Sequence, residues 1–360
     1  DDERRATKMS SENKEAAAPK RVESDVYDRQ IRLWGADAQR AMASARVLYV
    51  NLSGVSSEIL KNLVLAGIRA AICDGRPYPS AIASMPSSFL SPTERSGTEN
   101  DASAADAEKE EGAPAKKARP ATVASAMQPH VVELNPLLDG CEINESLVED
   151  VPDEYFAQFG IVVASHLSAE QAKRIAKATV GAGNKFILVD TFGLEGCALL
   201  DLGPEHQFRK EMGKDKLSDV MKVDPYLSFA DMMDVPLSDM TARWDKHPPK
   251  ILTTYLSYLD YRAKTGKWPG EDNATGYADK TKAWLAESKA IGEDYLGDDD
   301  KLKHMASLAG AEVSPVCAVL GGVIGNEVIK AISGKAEPAN NVLMFDGVDG
   351  GCRTFLLKKK

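Results

Sequence analysis

Paired cysteines are missing from this chain. Cys73, Cys141, Cys197, Cys317 and Cys352 stand singly, with no CxxC step among them. That spacing argues against a structural zinc site and supplies no disulfide framework. It suits reduced thiols in the cytosol or nucleus. The five histidines, His130, His166, His206, His247 and His304, are isolated from one another, and no spacing among them suggests a metal ligand set. Long apolar runs are absent too, none approaching the roughly 18 uninterrupted residues of a membrane span. The charged opening Asp1-Asp2-Glu3-Arg4-Arg5 has no apolar block behind it of the kind a secretory signal requires. A soluble intracellular protein without membrane contact is therefore expected. Basic excess is lacking: 44 Lys and Arg against 54 Asp and Glu leave a net charge of −10, which disfavours non-specific nucleic-acid binding.

What is present is enough apolar material for a sizeable core. With 360 residues, 43% of them hydrophobic, the chain has room for two folded units or one large unit with an insertion. Residues 1–24 are too polar to offset their ordering entropy and read as a disordered tail. One helix is expected from about Tyr27 to Ala43, with Ile31, Trp34, Ala38, Ala41 and Met42 on one face. Arg46 to Val50 reads as a buried strand, Asn51-Leu52-Ser53-Gly54 as a tight turn, Ser56 to Ala66 as a helix, and Ala70 to Asp74 as a second strand. This strand–turn–helix–strand unit opens a doubly wound α/β domain.

Further along, residues 91–120 collapse into a low-complexity composition expected to form a mobile insertion. A helix is expected from Met127 to Leu134 with Pro129 in its first turn, then a strand at Ile161–Ala164, a helix at Ala169–Val180 and a strand at Phe186–Thr191. Gly193 to Leu202 alternates weakly, as a further strand would. Residues 204–307 break the alternation and read as an inserted, mostly helical domain. The α/β pattern closes over 308–360, with an apolar helix from Val316 to Ile332 and strands at Val342–Asp346 and Arg353–Leu357. The Rossmann-like domain thus runs over 25–203 and 308–360.

Two stretches carry candidate chemistry. A nucleotide-binding turn needs glycines so that backbone N–H groups can approach phosphate. The equivalent stretch here, Asn51 to Ser57, keeps only Gly54, and the side chains of Asn51 and Ser56 are expected to crowd the phosphate path. Asp74, placed where a competent site contacts ribose, then faces a ruined cradle. The second stretch is Tyr27-Asp28-Arg29-Gln30-Ile31-Arg32-Leu33-Trp34-Gly35. On residue chemistry alone it is an amphipathic helix with a solvated arginine face, although a guanidinium also suits phosphate oxygens on another chain. Cys317, at the start of an apolar helix, reads as a packing residue and not a nucleophile. The basic run Lys116-Lys117-Ala118-Arg119 fits either a nuclear-import signal or an ordinary charged loop.

The nonapeptide Tyr27–Gly35 resembles the opening signature of the activating enzymes of ubiquitin and ubiquitin-like proteins, notably their adenylation-incompetent halves. Ala45–Leu48 with Glu58–Ile68, Leu134-Asn135-Pro136, Ser314–Ser333, Asn340-Asn341 and Phe345-Asp346-Gly347 agree with that family in order and spacing. The resemblance covers both ends of the chain and is thin between Glu205 and Lys303. It implies a ThiF/MoeB-type adenylation fold in its pseudo-active form. Length further resembles the small-subunit branch that activates SUMO.

The implied function is that of a non-catalytic subunit in a heterodimer. A catalytic partner subunit binds MgATP, adenylates the modifier SUMO and captures it as a thioester. This chain binds no cofactor or metal itself and supplies Arg29 in trans to the partner's ATP. Nuclear as well as cytoplasmic residence is expected. Departures from the catalytic halves fit that role: Ser87-Ser88-Phe89-Leu90 stands where their "NLNRQF"-like stretch would be. Two rivals stay open at this point, namely the equivalent subunit for another modifier and a stand-alone Rossmann-type enzyme or adenylating homodimer.

Overall fold

The computed structural model of the protein describes residues 26–78, 81, 121–213, 216–240, 247–287 and 292–358. The expected tail, the 91–120 insertion with its Lys116–Arg119 run, and Ser87–Leu90 lie outside these residues.

The chain enters through two short helices, α1 (Asp28–Trp34) and α2 (Ala36–Ser44). The sequence periodicity suggested one helix, but Gly35 takes φ +83° between them, a left-handed value that breaks the helical path. Strand β1 (Arg46–Val50), helix α3 (Gly54–Leu65) and strand β2 (Arg69–Cys73) follow as the expected unit. Helix α4 (Val123–Leu134) starts earlier than its apolar pattern suggested. Thr122 caps it through a reciprocal box with Ser125, which leaves Pro129 in the helix interior.

Strand β3 (Glu142–Asn144) is too short and too exposed to show in the pattern, and precedes α5 (Asp153–Phe156) and β4 (Ile161–Ala164). Next come α6 (Ala169–Gly181), β5 (Lys185–Phe192) and β6 (Glu195–Asp201). Between residues 204 and 307 lie the small pair β7 (Gln207–Phe208) and β8 (Met221–Lys222), then helices α7 (Phe229–Met232), α8 (Lys250–Thr265), α9 (Ala274–Glu287) and α10 (Asp299–Leu308). Helix α11 (Ser314–Ser333) and strands β9 (Val342–Asp346) and β10 (Gly351–Phe355) close the chain.

Eight strands form one sheet in the order β10-β9-β6-β5-β4-β1-β2-β3. From β5 to β3 all neighbours run parallel, and β6, β9 and β10 extend the sheet antiparallel. Parallel strands are covered on both faces, so their sequences read as apolar runs, as β1 and β4 do. Alternate residues feed two separate cores. Leu48, Val162, Leu188 and Leu199 face a layer that includes α6 and α8–α10. Tyr49, Val163, Val189 and Leu200 face α2, α3, α4 and α11. The helices between 204 and 307 thus share a continuous core with the sheet.

Helix α11 is long and apolar enough to span a bilayer by composition, yet half of its most apolar window is buried in the second core.

The sheet reverses its winding at β1, which has β2 on one side and β4 on the other. In open α/β sheets this switch point opens a crevice outside the strands' carboxyl ends. Helix α1 is tied to the same half of the molecule. The Asn135 amide donates to the Tyr27 hydroxyl at 2.8 Å and to the Val64 carbonyl at 2.7 Å, while Gln30 donates to the Ala66 carbonyl at 2.8 Å. Asn135→Ala removes a buried amide that ties three segments together. It is expected to cost about 1–3 kcal/mol of unfolding free energy in urea and to speed hydrogen exchange in α1; unchanged exchange there would refute the tether.

Candidate functional site

The turn after β1 sits at the switch point. Asn51 adopts φ +54°, a left-handed conformation that asparagine tolerates, and its N–H donates to the Cys73 carbonyl at 3.1 Å. Ser53 then caps α3. Its Oγ accepts from Ser56 N at 3.1 Å, and its own N–H donates to Ser56 Oγ at 2.8 Å. The Ser56 side chain is therefore folded back into the cap and does not project outward into the phosphate path, as sequence reasoning supposed. Ser53 Oγ also donates to Ser165 Oγ at 2.9 Å, and Ser165 passes the chain on to the Val189 carbonyl at 2.8 Å.

Asp74, fully buried at the end of β2, accepts from Leu52 N at 2.9 Å. Arg76 holds both of its carboxylate oxygens, with Nε to Oδ1 at 2.8 Å and Nη2 to Oδ2 at 2.6 Å. The acid that would meet a ribose is thus paired with the chain's own guanidinium.

The first amide of α3 is occupied as well. Gly54 N–H donates to both oxygens of the Glu312 carboxylate at 2.9 Å, reaching across 258 positions of sequence. Glu312 comes from the loop leading into α11, and its side chain is fully shielded from solvent. A Cβ at position 54 would lie 2.7 Å from Glu312 Oε2. The surviving glycine therefore admits the protein's own carboxylate. Together, the N–H groups of Asn51, Leu52, Ser53, Gly54 and Ser56 are all engaged inside the chain.

His166 closes the cluster from the end of β4. Its φ of +52° turns the imidazole between two acids, with Nδ1 3.3 Å from Asp190 Oδ1 and Nε2 3.4 Å from Glu312 Oε1. The Asp190 carboxylate also accepts from the Tyr255 hydroxyl at 2.6 Å. Arg262 donates to the His166 carbonyl at 2.6 Å and lies over the Trp268 ring, 4.8 Å from its centroid. Burial pushes the His166 pKa down, but its hydrogen bond to Glu312 and the charges of Asp190 and Glu312 outweigh this, against Arg76, and hold it above the ordinary value.

Asn51, Gly54, Ser56 and Asp74 thus come together as the sequence placed them. Arg29 is elsewhere, exposed on α1, and its side chain makes no hydrogen bond or ion pair with the described residues, whereas its neighbour Arg32 pairs with Asp28 at 2.9 Å. Cys317 is buried beside Thr191, and burial pushes its thiol up to about 12, so it stays protonated. Sequence reasoning passed over Arg76, His166, Asp190 and Glu312. The position of Ser165-His166 just past a buried strand, and of Asp190 near the end of another, was the available signal, because doubly wound folds place site residues there. No group of side chains that could hold a metal ion occurs among the described residues.

A buried imidazolium held by two acids stabilises the fold while protonated. Its folded pKa exceeds the unfolded value of 6.5, so the contribution is complete below pH 6.5 and lost as pH rises through the folded pKa. In an NMR titration the His166 ring is expected to titrate above 6.5, and lower in Glu312→Gln. An identical midpoint in both proteins would remove Glu312 from that account.

No family model matches the chain. Curated relatives match it along most of its length. SUMO-activating enzyme subunit 1 of Xenopus tropicalis is 30% identical over 359 residues, covering 93% of this chain and 95% of the relative. The protein of that name from Danio rerio is 29% identical over 352 residues, with 91% and 93% covered. That from Homo sapiens is 27% identical over 357 residues, again with 91% and 93% covered.

Proposed function

The chain belongs to the SUMO-activating enzyme subunit 1 family, with the ThiF/MoeB-like Rossmann-type fold of that family, and from this premise we propose that it is the non-catalytic half of a heterodimeric SUMO-activating enzyme. The partner subunit binds MgATP, adenylates the modifier's carboxyl terminus and captures the acyl group on its own cysteine. This chain binds no nucleotide, buttresses the partner's adenylation domain and lends it Arg29.

The observation that carries this reading is the turn after β1. A phosphate cradle works by offering unpaired backbone N–H groups to an incoming anion. Here the N–H groups of Asn51, Leu52, Ser53, Gly54 and Ser56 are already committed to Cys73, Asp74, the Ser53–Ser56 cap and Glu312. The nucleotide chemistry then falls to another chain.

Two exposed features suit the rest of the role. Arg29 projects from an anchored helix and its side chain pairs with none of the described residues, which suits a guanidinium offered to a neighbour's triphosphate, where a fixed cation offsets charge on the departing pyrophosphate. Helix α11 leaves an apolar stripe outside the core, with Val319 47% exposed, and Leu33 on α1 is 71% exposed. The two helices meet where Lys335, just past α11, donates to the Trp34 carbonyl. Exposed apolar side chains such as Val319 and Leu33 suit a protein–protein contact, and the catalytic subunit is the proposed occupant.

Arg29→Ala is expected to slow SUMO-dependent ATP–pyrophosphate exchange by roughly 10²-fold, the usual cost of losing one preorganised donor, while the heterodimer still elutes as one species. An exchange rate equal to wild type would dispose of the arginine's role. Val319→Asp is expected to weaken heterodimer association by about tenfold or more, a loss of ~1.4 kcal/mol, with the circular dichroism of the lone chain unchanged. Undiminished association would move the interface elsewhere.

A further inference from the structure

The start of α3 holds an anion that belongs to the protein. An α-helix of 12 residues presents unpaired N–H groups and the positive end of its dipole at that point, and phosphate is bound at such termini in dinucleotide-binding folds. The Glu312 carboxylate lies in that place. It receives Gly54 N–H on both oxygens at 2.9 Å, faces His166 Nε2 at 3.4 Å, and is sealed from solvent. The seat therefore keeps its electrostatic design and has exchanged its guest.

We propose that Glu312 is the residue that denies phosphate to this half, so that its side chain decides which subunit of the heterodimer handles nucleotide. This deepens the reading that the chain binds no nucleotide, and rests on it.

The chemistry is direct. A phosphate oxygen on Gly54 N–H would have to lie where the Glu312 oxygens are, against a full negative charge at contact distance. Displacing the carboxylate would break its bonds to Gly54 and its pair with His166 together. The glycine of this turn, Gly54, leaves the room that Glu312 fills, since any Cβ there would strike the carboxylate.

Taking away the carboxylate should reopen the seat. What remains is Gly54 N–H, freed at the helix start, and the His166 imidazole, whose Nε2 is then open to an oxyanion while Nδ1 stays 3.3 Å from Asp190. The test uses the full chain, and magnesium-free inorganic tripolyphosphate as the probe, in wild type, Glu312→Ala and Glu312→Gln. Calorimetry gives the affinity, and the Gly54 backbone amide resonance reports whether the probe sits at the seat.

The expected result is no binding by wild type at millimolar probe, and at least tenfold tighter binding by Glu312→Ala with a displaced Gly54 resonance. Glu312→Gln preserves the shape and removes the charge, so it decides the matter if the alanine variant does not fold; any tripolyphosphate-induced shift of Gly54 in it supports the proposal. If neither variant binds more tightly than wild type, or binding leaves Gly54 unmoved, Glu312 is not what excludes phosphate, and the non-catalytic reading stands without it. If wild type itself binds tripolyphosphate at Gly54, both the proposal and the reading of this chain as the nucleotide-free half are overturned.

Discussion

The bond from Gly54 N–H to Glu312 joins two parts of the chain that sequence keeps far apart. It fixes the loop before α11 onto the start of α3, at the point where the sheet reverses its winding. Around it the polar groups of the switch point fall into two self-contained circuits. One runs through Asp74 and Arg76 to the backbone of Leu52. The other runs through His166 and Asp190 to Tyr255 on α8. A crevice that in this architecture usually serves a ligand is here filled by the protein's own ions. Buried charges cost several kcal/mol each unless paired, and in both circuits every acid has a cation or a donor against it.

The same economy accounts for the structural part played by the family-like residues. Tyr27 and Asn135 are bonded to each other, and the Tyr27 ring lies against Gly67, where a Cβ would come within 2.9 Å of it. Asn341 donates to the Leu227 carbonyl at 2.9 Å and accepts from Leu357 N at 3.0 Å, clamping the last strands to α7's approach. These side chains serve geometry. Through Tyr27 and Gln30 the nonapeptide that carries Arg29 is fastened to the body of the fold.

The strands were readable because burial on both faces leaves no alternation to misjudge: Arg46–Val50, Ile161–Ala164 and Val342–Asp346 emerge almost to the residue. The helix at the N-terminus was not, since its apolar face continues across Gly35 and only the backbone dihedral reveals the break. Strand β3 escaped because an edge strand of three residues carries little hydrophobic signal. For the site, the eroded turn and Asp74 could be located from local order alone. His166 stood in sequence just past a buried strand, but Glu312 could not be found this way, because its meaning arises only when a loop 258 positions downstream of Gly54 arrives beside it. Ser56 was located and misjudged: a serine three residues after another serine at a helix start is a capping pair.

Helix α11 carries a demand of its own. Its inner face is the wall of a core, and its outer face carries small residues and one exposed large apolar side chain, Val319. A protein built this way is safest when covered. Val319 left uncovered is a site at which self-association can begin.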